Sequence, residues 1–246
     1  MDKTLLKGLQ VLEFVARADR NVKIADVAGE LGLTKSNAYR ALKTLESAGF
    51  IHQDKVDKDF AASVKIWELG MQVVARIDLR SRAAKALQNL ARRSNETVHL
   101  AVLDGTDVVY VDKIDSVEPV AAYTRLGGRA PAHAVATGKA LLSQYSGAEL
   151  KERLGALTRY SPSTIVDYDA LQSDLDLSRA RGFSINRGEW RESVWGIGAV
   201  IRDGTGAVVG AIGVSGPGYR LDDAARCEEL AAMVVDAAEA ISATFV

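Results

Sequence analysis

The sequence predicts an α+β protein with two domains joined by a helix. Three observations support this class. Apolar residues recur at helical spacing through most of residues 1–62, a strongly apolar helical stretch follows over 63–80, and from residue 97 short β-rich runs alternate with helical stretches. Because the β-rich runs come as hairpins and not as strand–helix–strand units, the sheet within 81–246 is expected to be antiparallel.

The first domain, residues 1–62, is predicted to begin with an amphipathic helix and to end with a hairpin. The apolar stripe of the first helix is Leu5, Leu9, Leu12 and Ala16. After two further helices, residues 49–53 form a turn that leads into a strand, and Phe60 begins the return strand. Three helices followed by a hairpin is the order of a winged helix-turn-helix.

Residues 24–45 predict the second and third helices, joined by a tight turn at Gly32, where a positive φ costs little. Thr34 is placed to cap the third helix. The outward face of that helix is basic and hydrogen-bonding, which suits contact with DNA. We assign Lys35 and Lys43 to phosphates and Ser36, Asn37, Tyr39 and Arg40 to positions near bases. The alternative is an ordinary helical hairpin with a solvated basic face.

The linker helix predicted over 63–80 is so apolar that burying a single face would leave apolar residues exposed to solvent. Its stripe, widened on both flanks, comprises Ile66, Trp67, Leu69, Met71, Val73, Val74 and Ile77. Such a helix needs more than one neighbour, and we predict that it packs against its counterpart in a second subunit.

The second domain is predicted to contain two hairpins and several helices. The hairpins span 98–114 and 194–214, each with a glycine-containing turn. The helical stretches lie at 79–94, near 133–145, 147–154 and 168–181, and in a final helix that carries Leu230, Met233, Val234, Ala237 and Ile241.

The composition sets limits on function. The net charge is −1, so any affinity for DNA depends on a local patch. The single cysteine, Cys227, excludes a disulfide framework and indicates a reducing compartment. No apolar run is long enough to cross a bilayer and no export signal is visible, so a soluble, cytoplasmic protein without a membrane partner is expected.

The motifs argue against an enzyme. Gly138-Lys-Ala140 is not a phosphate-binding loop, because His133 stands where a second glycine belongs and Ala140 replaces the hydroxyl residue. Val214-Ser-Gly-Pro217 is not a nucleophile elbow, because Pro217 replaces the second glycine. The spacing of His52, His99 and His133 fits no metal site, so hydrogen-bonded structural histidines are expected, with no cofactor.

Several motifs in order resemble the IclR-type bacterial transcription regulators over essentially the whole chain. The matching stretches are Lys7–Leu12, Thr34–Leu45, Leu126–Leu142, Arg181–Phe183, Gly188-Glu189 and Val214–Pro217. The resemblance implies an N-terminal winged helix-turn-helix, a GAF-like effector domain, and dimers or tetramers on palindromic operators. It also implies an effector that is a small organic, sugar or aromatic acid. The wing departs from the family, because residues 51–60 hold two Lys and three Asp and lack the usual glycine.

The resemblance further implies an effector pocket on the sheet of the second domain. The matching positions are Ala122, Leu126, Ala136, Thr137, Asn186, Trp190, Val194, Gly196 and Ser215. Nearby Arg125, Arg129 and Arg191 could add charge, with solvated surface as the alternative. The expected partners are operator DNA, a small acid and further copies of the chain. Two rival functions remain, a small-molecule sensor without DNA binding and an enzyme.

Overall fold

The structure of the protein, a computed structural model, describes residues 2–75 and 78–245, without the side chains of residues 73–75. The chain divides into two compact units, Met1–Arg76 and Ile77–Val246. Each unit is described by itself. Of the predicted linker stripe, Ile77 and the side chains of Val73 and Val74 lie outside the described residues.

The first unit has the predicted order of three helices, a hairpin and a further helix. Its elements are α1 (Lys3–Arg17), α2 (Ile24–Glu30), α3 (Lys35–Ser47), β1 (Ile51–Gln53), β2 (Phe60–Ala62) and α4 (Val64–Ala75). The hairpin is antiparallel, with His52 opposite Ala61, and Val22 bridges to Phe60 from the other side. Gly32 has the expected positive φ of 60°, and the N–H of Leu33 donates to the carbonyl of Ala28 at 2.9 Å, which closes the end of α2.

The predicted apolar stripe of α1 is only partly correct, because Leu12 packs against the core of the unit but Ala16, Leu5 and Leu9 are exposed. Val11 and Val15 are the buried residues of α1, and they pack in the core of the unit with Val27, Leu42 and Phe60. Leu5 and Leu9 instead point outward and are 62% and 53% exposed. The helix has two apolar faces, and the sequence pattern alone did not show which one the unit buries.

The second unit contains a six-stranded antiparallel sheet in the order β5-β4-β3-β8-β7-β6. Its strands are β3 (Thr97–Asp104), β4 (Asp107–Ile114), β5 (Arg129–Pro131), β6 (Ser184–Arg187), β7 (Val194–Arg202) and β8 (Val208–Pro217). Its helices are α5 (Asp78–Ser94), α6 (Ala136–Leu142), α7 (Gly147–Leu154), α8 (Tyr168–Arg181), α9 (Gly218–Leu221) and α10 (Ala224–Ser242). The α+β class predicted from the hairpins is confirmed.

Helices cover both faces of this sheet. On one face α5 and α10 pack against the alternating apolar residues of the central strands, among them Val98, Ile197 and Ile212. On the other face α6, α7 and α8 form a second core with Ala101 and Ala211. Since both faces are buried, residues of either parity on β3, β7 and β8 lie inside the unit.

The sequence missed the short elements of this unit. Strands β5 and β6 and helix α9 have three or four residues each, too few to show a periodicity. The helix predicted near 133–145 is divided by Val135, whose φ of −131° and ψ of 150° are extended, into a 3₁₀ turn at Ala132–Ala134 and α6. Within the described ranges, no helix is both long and apolar enough to cross a membrane.

Candidate functional site

Helix α3 presents a polar face to solvent because its apolar face is fixed in the core. Ala38 and Leu42 are fully buried, and the hydroxyl of Thr34 caps the helix by accepting the N–H of Asn37 at 3.2 Å. The six residues predicted to contact DNA all lie on this helix. Lys35, Ser36, Tyr39 and Arg40 are exposed, and Asn37 and Lys43 are half-buried.

Two of the polar side chains on α3 are held by neighbours on the same helix. The guanidinium of Arg40 donates to the Oδ1 of Asn37 at 2.7 Å, which restricts where Arg40 points. Lys43 forms a salt bridge with Glu46, and that carboxylate raises the pKa of the Lys43 ammonium. Glu46 directly follows the stretch 24–45 from which the basic face was predicted. Lys43 therefore offers less free charge than Lys35.

The turn between β1 and β2 is acidic and tightly bonded. The carboxylate of Asp54 accepts the N–H groups of Val56 at 2.7 Å and Asp57 at 3.0 Å, and these bonds lower its pKa. Lys58 occupies the left-handed region with φ 63°, a conformation that favours glycine. The backbone of Lys58 is therefore strained. Val56, at the tip, is 85% exposed.

In the second unit a cavity lies between the sheet and the first turn of α6. Eight of the nine residues predicted for an effector pocket line it: Ala122, Ala136, Thr137, Asn186, Trp190, Val194, Gly196 and Ser215. Its empty volume is about 480 Å³ with its mouth included. The space is narrow and suits a small ligand.

Leu126 is the predicted pocket residue that the structure places elsewhere. It does not line the cavity and is 55% exposed. The reason is the turn that follows, where Gly127 has a φ of 73° and donates its N–H to the carbonyl of Tyr110 at 2.8 Å. This turn directs the chain toward β5 and leaves the Leu126 side chain outside.

Glycines on β7 and β8 allow α6 to approach the sheet backbone. A Cβ on Gly198 would lie 2.8 Å from the carbonyl carbon of Ala136, and one on Gly213 would lie 2.9 Å from the Cγ2 of Thr137. Any larger residue at either position would displace the first turn of α6. The glycines therefore place Ala136 and Thr137 in the cavity wall.

The sequence reasoning did not assign seven further residues to the cavity wall. They are His99, Tyr110, Tyr123, Thr124, Val135, Arg191 and Val214. A usable signal was the polar His99 within the apolar run of β3, which on a strand covered on both faces requires hydrogen-bond partners. For Arg191 the sequence predicts only a charge near the pocket.

His99 lies in the cavity wall as a neutral ring. Its Nε2 shares a hydrogen bond of 2.5 Å with the hydroxyl of Ser215, and its Nδ1 one of 3.2 Å with the hydroxyl of Thr124. Burial lowers the pKa of the imidazole to about 4. Tyr110 lies beside it, with ring centroids 4.9 Å apart, and burial raises the pKa of its phenol to about 12. Both groups are uncharged at neutral pH.

A buried ion pair joins two walls of the cavity. The ammonium of Lys139 on α6, 1% exposed, lies 2.7 Å from the Oε1 of Glu189 and 2.9 Å from the Oδ2 of Asp174. Burial raises the pKa of the Glu189 carboxyl, and the attraction of Lys139 opposes that rise. Glu189 directly precedes Trp190 and Arg191, so the pair holds their segment against α6.

The other two histidines lie outside the cavity wall. His133 donates a hydrogen bond of 3.0 Å from its Nε2 to the carbonyl oxygen of Thr158, as expected for a structural histidine, and His52 is exposed on β1. In residues 2–75 and 78–245, no three His, Cys, Asp or Glu side chains come together as a metal site.

Sequence models of two domains of one known family match the chain. The IclR helix-turn-helix domain matches residues 4–55, and the domain described as bacterial transcriptional regulator IclR C-terminal matches residues 71–243.

Characterised relatives resemble nearly the full chain. The chain is 34% identical over 220 residues to the HTH-type transcriptional regulator XynR of Escherichia coli, with 89% of this chain and 87% of the relative covered. It is 31% identical over 242 residues to the regulator KdgR of the same organism, with 98% and 91% covered. Among solved structures, an IclR homologue from Microbacterium hydrocarbonoxydans complexed with 4-hydroxybenzoate is 26% identical, with a TM-score of 0.84 and 99% of each chain covered.

Proposed function

The chain belongs to the IclR family of bacterial transcriptional regulators, and we propose that it binds a specific operator through α3 with an affinity controlled by a small organic or sugar acid in the cavity of the second unit. The observation that carries this proposal is that one chain contains both the exposed polar face of α3 and a small cavity in its second unit. The cavity wall contains one cationic side chain, Arg191, and no carboxylate. Because operator DNA is the target, we place the protein in the cytoplasm.

We assign the DNA contacts to the six predicted residues of α3. Lys35 is exposed and suits contact with a DNA phosphate. Lys43 also contacts a phosphate, but more weakly, because its charge is partly balanced by Glu46. Arg40 suits the edge of a guanine, because Asn37 restricts its guanidinium and a positioned arginine loses less freedom on binding. Ser36 and Tyr39 complete the exposed face near the bases.

DNA binding is tested with a site selected from a random double-stranded library by the full-length protein. Arg40→Ala should weaken binding to the selected site by about 1–3 kcal/mol and relax the preference at one base pair. Lys35→Ala should weaken binding to every sequence alike. No sequence enrichment in the selection, or unchanged affinity and preference in Arg40→Ala, would refute this interface.

The effector class follows from the cavity wall. Thr137, Ser215 and Asn186 offer hydrogen bonds, Trp190 offers an aromatic face, and Arg191 offers a positive charge. The Microbacterium relative is complexed with 4-hydroxybenzoate, an acid of this kind. Calorimetry with aromatic, keto and sugar acids should find a binder that also changes operator affinity. Failure of all three classes would count against effector control.

We also propose that the protein forms a homodimer or homotetramer, with α4 as one contact. Val64 and Trp67 on this helix are 66% and 64% exposed, and Leu69 and Met71 are exposed beside them. Exposed apolar residues at this density are typical of an interface. Light scattering should show more than one copy, and Trp67→Glu should lower the assembly state. A monomer at micromolar concentration would contradict this.

A further inference from the structure

The effector cavity opens into a cleft at its outer end. The residues that line both are Tyr110, Tyr123, Thr124, Trp190 and Arg191. The cleft adds Arg125, from the segment that leads into β5, and Arg129, the first residue of β5. Three guanidinium groups therefore surround the opening, and no carboxylate of the described chain lines either compartment.

The arginines at the opening differ in how their charges are compensated. Arg129 forms salt bridges with Asp104 at 2.7 Å and Asp107 at 3.1 Å, so its charge is balanced within the protein. Arg125 and Arg191 form no salt bridge with the side chains that the structure describes. Arg191 lies over the Trp190 ring, 4.6 Å from its centroid, which positions its guanidinium at the opening.

The inner end of the cavity is uncharged. His99 is neutral and already shares hydrogen bonds with Ser215 and Thr124, and Tyr110 keeps its proton. A carboxylate placed there would be desolvated with no cation beside it, which is costly. Hydroxyl groups of a ligand, in contrast, find suitable partners in Thr137 and Ser215.

We propose that the opening is an anion subsite, in which Arg125 and Arg191 bind the carboxylate of an effector whose neutral, hydroxyl-bearing end fills the inner cavity. This inference rests on the proposed function and narrows it to elongated hydroxy acids, either hydroxyaryl acids or sugar acids. Short acids such as acetate and pyruvate lack a neutral end and are poor ligands on this scheme.

The test measures binding of matched acids and neutral counterparts to the full chain by calorimetry. The pairs are 4-hydroxybenzoate with its methyl ester, 4-hydroxyphenylacetate with its methyl ester, and gluconate with glucitol. At least one acid should bind the wild type. Arg191→Gln and Arg125→Gln should each weaken that acid about tenfold or more, as expected for loss of a charged hydrogen bond, and change its counterpart less than twofold.

Arg93→Gln is the matched control, because Arg93 is an exposed arginine on α5, across the sheet from the cavity, and it should change neither ligand. The proposal is overturned if no acid of the three pairs binds, if Arg191→Gln leaves the acid unaffected, or if acid and counterpart weaken equally. Operator binding and its response to pyruvate are measured alongside. A protein that binds its operator and responds to pyruvate independently of both arginines is still an acid-controlled regulator without this subsite.

Discussion

Replacing Lys139 with Met should destabilise the second unit by about 3–5 kcal/mol, because it leaves buried carboxylate without its cation. Lys139 is 1% exposed and lies 2.7 Å from Glu189, whose side chain is 8% exposed. Glu189→Gln should cost less, since Lys139 keeps Asp174 at 2.9 Å. The asymmetry between the two single variants separates a charge effect from a simple loss of packing.

The loss in Lys139→Met should depend on pH. Burial already raises the pKa of Glu189 above its ordinary value of 4.5, and removal of Lys139 raises it further. Between the pKa of Glu189 in the unfolded chain and its higher pKa in the folded protein, the folded protein binds more protons than the unfolded chain. The free energy of unfolding therefore falls as the pH rises through this window. The slope in that window is up to about 1.4 kcal/mol per pH unit, and the variant should be penalised more at pH 8 than at pH 5.

Urea unfolding monitored by tryptophan fluorescence measures these differences. A Trp67→Phe background confines the signal to Trp190 and Trp195, both in the second unit. In Lys139→Met/Glu189→Met the more buried of the two carboxylates is removed together with the cation, and the Asp174 side chain that remains is 27% exposed, so stability should return to within about 2 kcal/mol of the background. A loss under about 1 kcal/mol in Lys139→Met, or a double variant worse than either single one, would refute the reasoning.

Three further outcomes follow from the described contacts. Gly138→Ala should destabilise the second unit by about 2 kcal/mol or more on urea unfolding, because the new Cβ would lie 2.2 Å from the carbonyl oxygen of Ala132. Lys58→Gly should stabilise the first unit by about 1 kcal/mol, measured by thermal unfolding, because it relieves a positive φ. Lys35→Ala should reduce the salt dependence of operator binding by about one unit of slope, and Lys43→Ala by less.

The two predictions on stability each have a matched control in the same chain. Gly8→Ala lies in α1 with open space around the new Cβ, so it should stabilise by about 0.5–1 kcal/mol. Lys55→Gly removes the same charge from the β1–β2 turn without a positive φ to relieve, so a gain there equal to that of Lys58→Gly would contradict the strain argument.

The sequence predicted the elements that depend on local patterns. Helix α3 followed from Thr34 as a cap and from the spacing of Ala38 and Leu42, and the two hairpins followed from β-rich runs around glycine turns. These signals are contained within a few neighbouring residues. These signals can therefore be recognised without knowledge of tertiary packing.

The features that the sequence did not predict depend on partners distant in the chain. His99 enters the cavity wall because Ser215 and Thr124 meet it from other segments, and Leu126 leaves it because of a turn bonded to Tyr110. Leu5 is exposed because α1 buries the face that carries Val11 and Val15. No periodicity within a single segment contains this information.

The glycines of β7 and β8 contribute no side chain between the strands and the first turn of α6. Side chains in an interior change rotamer and absorb small movements, but a peptide backbone held in a hydrogen-bonded ladder does not. Because α6 rests on Gly198 and Gly213 while α10 packs on the opposite face of the same strands, a ligand that pushes α6 strains the strands themselves. A small displacement of α6 at the cavity is therefore transmitted through the strands to α10, with few side chains between them that could absorb it.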